Sequence, residues 1–196
     1  MKKKRVLISV TNKTGLIPFA QALIALDWEI ISTGGTAQKL RDAGVPCIEV
    51  SEVTGFPEML GGRLKILHPK VFGGILVERS KPEDLQTIAS HDIHLIDMVV
   101  VNLYNFEGDP CINQIDVGGP SAIRAAAKNF FDVMVVVDPN DYALVAEKLR
   151  SNDMTRMDRQ RLAHKAFSTT AKYDKDITNH FQDCCATNTE VALGAH

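Results

Sequence analysis

The amino-acid sequence predicts an α/β fold in which a mainly parallel sheet is flanked by helices. Short apolar runs alternate along the chain with segments whose apolar residues recur at helical spacing, the pattern of strands joined by helical crossovers. One run, MVVVN at Met98–Asn102, is apolar on both faces, as a central parallel strand must be. With 196 residues, of which 45% are hydrophobic and 23% charged, the chain suffices for one compact domain.

The elements of the first half follow from these patterns in order. The first strand comes after a basic start, MKKKR, but its apolar run is too short for a secretory signal. A Thr-Gly turn precedes the first helix, and Gly44 ends the second. The predicted elements are a strand at Arg5–Val10, a helix at 16–26, a strand at 28–32, a helix at 36–43 and a strand at 46–50.

The second half begins with a polar, glycine-rich span at 51–74. Pro82 and two acidic residues mark the first turn of one helix, and Asp138 with Pro139 caps another. The predicted elements are a short strand GILV at 74–77, a helix at 81–91, a strand at 98–102, a helix from about Pro120, a strand at 133–137, a helix to about 150, and a C-terminal helical segment at 156–181 whose apolar side carries Leu162, Ala163, Ala166 and Phe167. The domain is predicted to span residues 1–183, with a frayed tail at 184–196.

Charge and composition exclude several classes of protein. A formal net charge of -2 is unlike the basic balance of a general nucleic-acid binder. No run approaches the roughly 18 apolar residues of a membrane span, so no membrane partner is predicted. The four cysteines, Cys47, Cys111, Cys184 and Cys185, lack metal-ligand or disulfide-framework spacing, which favours a reducing, cytoplasmic compartment and no metal site. A vicinal redox role for the last two is the less favoured alternative.

Three predicted strand ends continue into polar or glycine-rich loops: VTNKTG, STGGT and NLYNF. Ligands bind at such ends in parallel α/β sheets. Residues 33–36 combine hydroxyl groups with two glycines just before a helix, so backbone N–H groups and the helix dipole can bind a phosphate. Lys13 can add a charge, although it could equally be a solvated surface lysine. The sequence contains neither GxxxxGK[ST], the motif for a triphosphate, nor GxGxxG, the motif for a dinucleotide. A monophosphate is therefore the predicted ligand.

A basic loop, GGRLKILHPKVFGG at 61–74, places Arg63, Lys65, His68 and Lys70 between two glycine pairs. Alone, such a cluster is typical of a solvated surface. Other polar side chains follow predicted strand ends or share one helix face, namely Asn102, Tyr104, Asp116, Arg124 and Lys128. Each has a structural explanation of its own, as a core, turn or capping residue, but together they predict a polyfunctional site.

Six stretches carry a family resemblance: SVTNKTGL, STGGTAQKLRDAGV, VTGFPEMLGGRLKILHPKVFGGIL, VVVNLYNF, IDVGGPSAIRAAAKN and RLAHKAFSTTAKYD. Residues 1 to about 181 resemble the inosine monophosphate (IMP) cyclohydrolase domain of the bifunctional purine-biosynthesis enzymes, which also carry a formyltransferase domain. The resemblance implies a methylglyoxal-synthase-like fold and closure of the purine ring, in which a formamidoimidazole-carboxamide ribotide loses water. It also implies a homodimer and a purine ribonucleotide substrate, with no cofactor and no metal.

The resemblance implies a role for each matching residue. Lys65, Tyr104, Asp116 and Lys128 form the catalytic group, with Lys128 as the proton-transfer residue. The substrate-binding residues are Thr11, Asn12, Lys13, Thr33, Gly34, Gly35 and Thr36 around the 5′-phosphate, and Arg63, Leu64, Ile66, Asn102, Val117 and Gly118 around the nucleoside. A lysine near a carboxylate and a phenol can relay protons, each role contributing about 10²–10⁴-fold. The N–H groups of Gly118 and Gly119 can stabilise the oxyanion.

Several residues depart from the family pattern. Ile66 stands where threonine is common, Phe72 replaces a histidine, Asn105 replaces a proline, and Asn12 sits where aspartate is common. The loop between Tyr104 and Asp116 is also shorter than in typical members. None of these changes touches the four catalytic residues, so activity is expected to persist with altered affinity. No formyltransferase domain is expected in this chain, so a separate enzyme would supply the formylated substrate if the domain acts alone.

Two other functions fit part of the pattern. A phosphosugar lyase of methylglyoxal-synthase type would use the phosphate loop but leave GGRLKILHP and IDVGGPSAIRAAAKN without a role. A non-catalytic nucleotide-sensing module would bind a nucleotide but would not need the four catalytic side chains together.

Overall fold

The computed structural model describes residues 3–104, 112–186 and 190–191. Within them, five parallel strands form one sheet in the order β3-β2-β1-β4-β5. The strands are β1 (Arg5–Val10), β2 (Glu29–Ser32), β3 (Ile48–Glu49), β4 (Met98–Asn102) and β5 (Met134–Val136). Helices cover both faces of the sheet, so the predicted α/β fold with a parallel sheet is confirmed.

Eight α-helices connect and flank the strands in the described residues. They are α1 (Leu16–Ala25), α2 (Gly34–Asp42), α3 (Val50–Thr54), α4 (Pro69–Leu76), α5 (Pro82–Ser90), α6 (Gly118–Lys128), α7 (Tyr142–Arg150) and α8 (Arg156–Ala186). Short 3₁₀ turns lie at Ile112–Gln114 and Pro139–Asp141. The second turn is capped as predicted, because Asp138 Oδ1 accepts the Asn140 N–H at 2.9 Å.

The segment from 50 to 77 contains two helices where the sequence pattern predicts a loop and a strand. The GILV run, predicted as a strand, is the end of α4 and the residue after it, so that prediction is wrong. α4 begins with Pro69 in its first turn, and His68 Nδ1 accepts the Lys70 N–H at 3.1 Å. The sequence could not separate the two assignments, because a short buried apolar run looks alike in a strand and a helix.

The sheet separates two hydrophobic cores. Side chains of β1 alternate between them, and Leu7 belongs to the core that α4, α6 and α8 cover. The other core lies under α1, α2 and α7. In α8, Ala163 and Ala166 are buried as predicted, whereas Phe167 is 39% exposed beneath the Arg124 guanidinium. The two long C-terminal elements, α6 and α8, therefore pack on one face and hold the start of α6 at the sheet edge.

Helix α8 extends to Ala186, past the predicted end of the helical segment at 181. The predicted tail at 184–196 therefore begins inside this helix, and most of the tail lies outside the described residues. Asn105, Cys111 and the side chain of Cys185 also fall outside them, so the expectations that concern these residues stay predictions. In the described part of the chain, no helix combines the length and the apolar character that crossing a membrane requires.

Candidate functional site

A cavity of about 590 Å³ opens at the carboxyl ends of β1, β2 and β4, where the sequence predicts a ligand site. Its wall is formed by the loops after these strands, by the basic loop at 61–67 and by the start of α6. Most predicted site residues line it: Thr11, Lys13, Thr33, Gly35, Thr36, Arg63, Lys65, Ile66, Asn102, Tyr104, Asp116, Val117 and Gly118. The fold thus gathers side chains that are far apart in the sequence into one concave site.

The N-terminus of α2 forms one end of this cavity, which we call the anion-binding end because the sequence predicts a phosphate there. Thr33 is the N-cap residue, but its side chain makes no capping bond to the N–H groups of the first turn. The Lys65 ammonium lies over this turn, 3.5 Å from the point that a Cβ on Gly34 would occupy. Lys13 adds a second cation, with its Nζ 3.4 Å from the Thr11 carbonyl oxygen. Two ammonium groups, the helix dipole and the first-turn N–H groups all favour a phosphate here.

Two predicted ligand residues hold the loop after β1 in place. The Thr36 hydroxyl accepts the Val10 N–H at 3.1 Å and donates to the Val10 carbonyl at 3.0 Å. Asn102 Oδ1 accepts the N–H groups of Thr11 at 2.7 Å and Asn12 at 2.9 Å. Its Nδ2 donates to the Asn12 carbonyl at 2.9 Å. Both side chains are buried, and their polar atoms are bonded to the backbone, so they fix the shape of the anion-binding end.

Asp116 brings a carboxylate to the cavity at the start of α6. Its Oδ1 accepts the Gly119 N–H at 3.1 Å, which places the negative charge where the helix dipole favours it. Tyr104 and Val117 are 55% and 61% exposed, so both side chains are accessible to a ligand. The Gly119 N–H, predicted as an oxyanion donor, already bonds Asp116, so an oxyanion would have to compete with this carboxylate. Gly118 remains the predicted donor at this helix start.

Four predicted site residues do not line the cavity: Asn12, Gly34, Leu64 and Lys128. The first three adjoin it, because their chain neighbours form its wall. Lys128 is different, since it is exposed at the last residue of α6 and so lies about 15 Å along the axis from the first. One turn earlier, Arg124 lies 5.8 Å from the centre of the Phe167 ring. Within one chain the cavity does not include Lys128, and its role stays a prediction.

The basic loop divides between the cavity and the surface. Arg63 and Lys65 line the cavity. His68 caps α4, and Lys70 pairs with Asp92 at 3.0 Å. The cationic side chains of this loop therefore lie in two places, the cavity wall in its first half and the start of α4 in its second.

Some residues that line the cavity were not predicted as site residues. Their only indication in the sequence is that they lie near predicted site residues. They are Ser9, Val10, Gly61, Gly62, Leu67, Asn113, Gln114 and Ile115. Two residues that are predicted to depart from the family pattern lie in or against the core: Ile66 is 4% exposed, and Phe72 packs against the same core. Across the described residues, no three His, Cys, Asp or Glu side chains are arranged to hold a metal ion.

Three comparisons relate the chain to known proteins. The family model described as MGS-like domain matches residues 15–136, and the model described as AICARFT/IMPCHase bienzyme matches residues 126–195. The bifunctional purine biosynthesis protein PurH of Clostridioides difficile (strain 630) is 52% identical over 186 residues, covering 91% of this chain. The chain spans only 36% of the length of that relative. A crystal structure of ForH matches with a TM-score of 0.85 at 34% identity, covering 92% of this chain and 100% of that chain.

Proposed function

This chain belongs to the MGS-like domain family, and on that premise we propose that it is an IMP cyclohydrolase. The proposed reaction converts 5-formamidoimidazole-4-carboxamide ribotide to IMP and water, which closes the purine ring. One observation carries the proposal: a single cavity joins an anion-binding helix N-terminus to a carboxylate and a phenol, Asp116 and Tyr104. The likeness to a bifunctional purine biosynthesis protein supports the same reaction.

In this proposal the 5′-phosphate binds at the N-terminus of α2. Lys13 and Lys65 neutralise its charge, and the N–H groups of the first turn donate hydrogen bonds to its oxygens. Gly35 leaves room for a close approach, because no atom lies within 4 Å of the point that its Cβ would occupy. The imidazole ring then lies toward Val117 and Tyr104, whose exposed side chains offer apolar surface.

Ring closure requires protons to move from nitrogen to oxygen. The carboxamide nitrogen loses one proton as it attacks the formyl carbon, and the formyl oxygen becomes a hydroxyl. A second proton then leaves the former formamido nitrogen, and the hydroxyl takes up a proton and departs as water. We assign proton acceptance to Asp116 and donation to Tyr104, each role contributing about 10²–10⁴-fold. Because both reacting groups belong to one substrate, orientation at fixed ends of the cavity lowers the barrier further.

Lys128 enters this mechanism from a second copy of the chain. Its position at the exposed end of α6 keeps it away from the cavity of its own chain. We therefore include a homodimer in the proposal, together with a separate formylating activity in a reducing, cytoplasmic compartment. Loss of turnover in Lys128→Ala would support delivery of this lysine to a neighbouring cavity, and unchanged turnover would remove it from the catalytic group.

The test is ultraviolet absorbance on mixing the purified chain with the formylated ribotide, without cofactor or metal. Ring closure changes the conjugation of the base, so the spectrum is expected to shift to that of IMP with saturable kinetics. Binding of IMP without turnover would instead indicate a nucleotide-sensing module. Release of inorganic phosphate from dihydroxyacetone phosphate would indicate a phosphosugar lyase, and either result would overturn the proposal.

Gly119→Ala is expected to reduce turnover while the protein stays folded. A Cβ at this position would lie 2.2 Å from Asp116 Oδ2 and 3.1 Å from Leu103 Cδ2, so the carboxylate must move. A displacement of about 1 Å at a reacting group can cost on the order of 10²-fold in rate. The kinetic assay measures kcat, and circular dichroism checks the fold. Retention of normal kcat would show that Asp116 acts from another position or not at all.

A further inference from the structure

Tyr173 connects the long helix α8 to the wall of the cavity. Its side chain is 4% exposed, and its hydroxyl accepts the Asp116 N–H at 2.9 Å. The same hydroxyl donates to the Gln114 carbonyl, with the two oxygens 3.3 Å apart. One phenol therefore bonds the backbone on both sides of Ile115, in a segment that lines the cavity.

The bond to Asp116 acts on a residue that lines the cavity. Asp116 is held at two points, its N–H by Tyr173 and its Oδ1 by the Gly119 N–H. The two partners belong to α8 and α6, which pack on each other in the same core. An aspartate held both at its backbone N–H and at one carboxylate oxygen keeps one orientation, and proton transfer depends on that orientation.

The chemistry of the phenol suits this task. Burial raises the pKa of Tyr173, so the hydroxyl keeps its proton for Gln114 at neutral pH and above. The ring lines a second cavity, of about 480 Å³, that shares Asn102 and Tyr104 with the first. Replacement of Tyr173 by phenylalanine removes the oxygen and keeps the ring, so the change is directed at the hydrogen bonds.

We propose that Tyr173 is a positioning residue for ring closure, which sets the orientation of Asp116 through its backbone. The inference rests on the proposed IMP cyclohydrolase function for its kinetic consequence. The hydrogen bonds on which it is built do not depend on that function, so a structural readout can be separated from a kinetic one.

The test compares two tyrosine-to-phenylalanine variants that each delete one oxygen. Tyr173→Phe is expected to lower kcat by about 10- to 100-fold with KM within about twofold, since the substrate still binds but the carboxylate is misaligned. Tyr142→Phe is the matched control. Tyr142 is also 4% exposed, but it lies in the core under α1, α2 and α7, stacked on Phe19 with ring centroids 4.5 Å apart. This control is expected to keep both kinetic constants.

Hydrogen–deuterium exchange of peptides covering residues 112–119 supplies the second readout. Without the phenol oxygen the Asp116 N–H loses its acceptor, so exchange there is expected to accelerate by about tenfold in Tyr173→Phe. The same peptides should be unchanged in Tyr142→Phe. A variant that had partly unfolded would also accelerate exchange elsewhere in the core that α4, α6 and α8 cover, including the β5 peptides.

The outcomes separate the two proposals. If the wild-type chain closes no ring but Tyr173→Phe accelerates exchange locally, the proposed function fails while the hydrogen bonds stand. If the wild type is active and Tyr173→Phe keeps its kcat, the positioning role is overturned. In an Asp116→Asn background, Tyr173→Phe should cause no further loss of kcat, because both changes act through one carboxylate. An additive loss would also contradict the inference.

Discussion

Asp116→Asn is expected to lower kcat for ring closure by about 10²–10⁴-fold, the range for loss of a general acid or base. Asparagine has the same shape, and its Oδ1 can still accept the Gly119 N–H that Asp116 accepts at 3.1 Å. An amide cannot take up the proton that leaves the carboxamide nitrogen. The substitution therefore separates the chemical role of the carboxylate from its structural role at the start of α6.

The kinetic assay is run beside thermal unfolding. Loss of the charge at the helix N-terminus is expected to cost only about 0.3–1 kcal/mol, so Tm should fall by a few degrees at most. A kcat within about threefold of wild type would contradict the assignment of Asp116 as the base. A collapse of Tm with no measurable KM would instead make Asp116 a structural cap.

Asp138→Asn is the matched control for this variant. Asp138 also caps a helical turn at the carboxyl edge of the sheet, but it pairs with Lys165 and lines only the second cavity. The Lys165 ammonium, with the Asn140 N–H, holds the pKa of Asp138 below its usual value. Its stabilising contribution is therefore present at neutral pH and is lost as the pH falls through that pKa. The control should lower Tm at pH 7, lose this effect in acid, and keep kcat.

The sheet and the site's location were predictable because they depend on local signals. A buried parallel strand such as Met98–Asn102 must be apolar throughout, and the loops that follow such strands meet at one edge. STGGT at the start of a helix is a local anion-binding signal, and the structure places Lys65 beside it. Residue type and position along the chain were sufficient for these features.

The features that the sequence alone did not predict depend on contacts between segments that are distant in the chain. The hydroxyl of Thr36 and the amide of Asn102 are bonded to the backbone of β1 and its loop, so their polar groups shape the site. The third predicted strand at 46–50 is reduced to Ile48–Glu49, since α3 begins directly after it. The position of Lys128, at the exposed end of α6, likewise depends on how α6 packs on α8. Periodicity alone does not specify that packing.

Gly74→Ala is expected to destabilise the protein by about 2–3 kcal/mol, as overpacking against a fixed neighbour does. In a solvent-exposed helix the same change would stabilise by up to about 1 kcal/mol, because alanine is the better helix former. Here a Cβ would lie 2.3 Å from the His94 carbonyl oxygen and 3.3 Å from Ile96 Cγ1. A backbone oxygen cannot rotate away, so α4 or the segment before β4 must shift.

The shift would also reach the site, because α4 is bonded to the chain that leads into β4. The Ile96 N–H donates to the Gly74 carbonyl at 3.0 Å, and α4 follows shortly after residues 61–67, which carry Arg63 and Lys65. Denaturant unfolding gives the difference in free energy of unfolding. The increase in stability on addition of inorganic phosphate reports on the anion-binding end.

Gly73→Ala is the matched control, since its Cβ would meet only the Ile93 side chain, at 3.0 Å and beyond. That side chain can change rotamer, so the control should retain wild-type stability to within about 1 kcal/mol. Equal stability of the two variants would mean that α4 is not held against the His94 backbone.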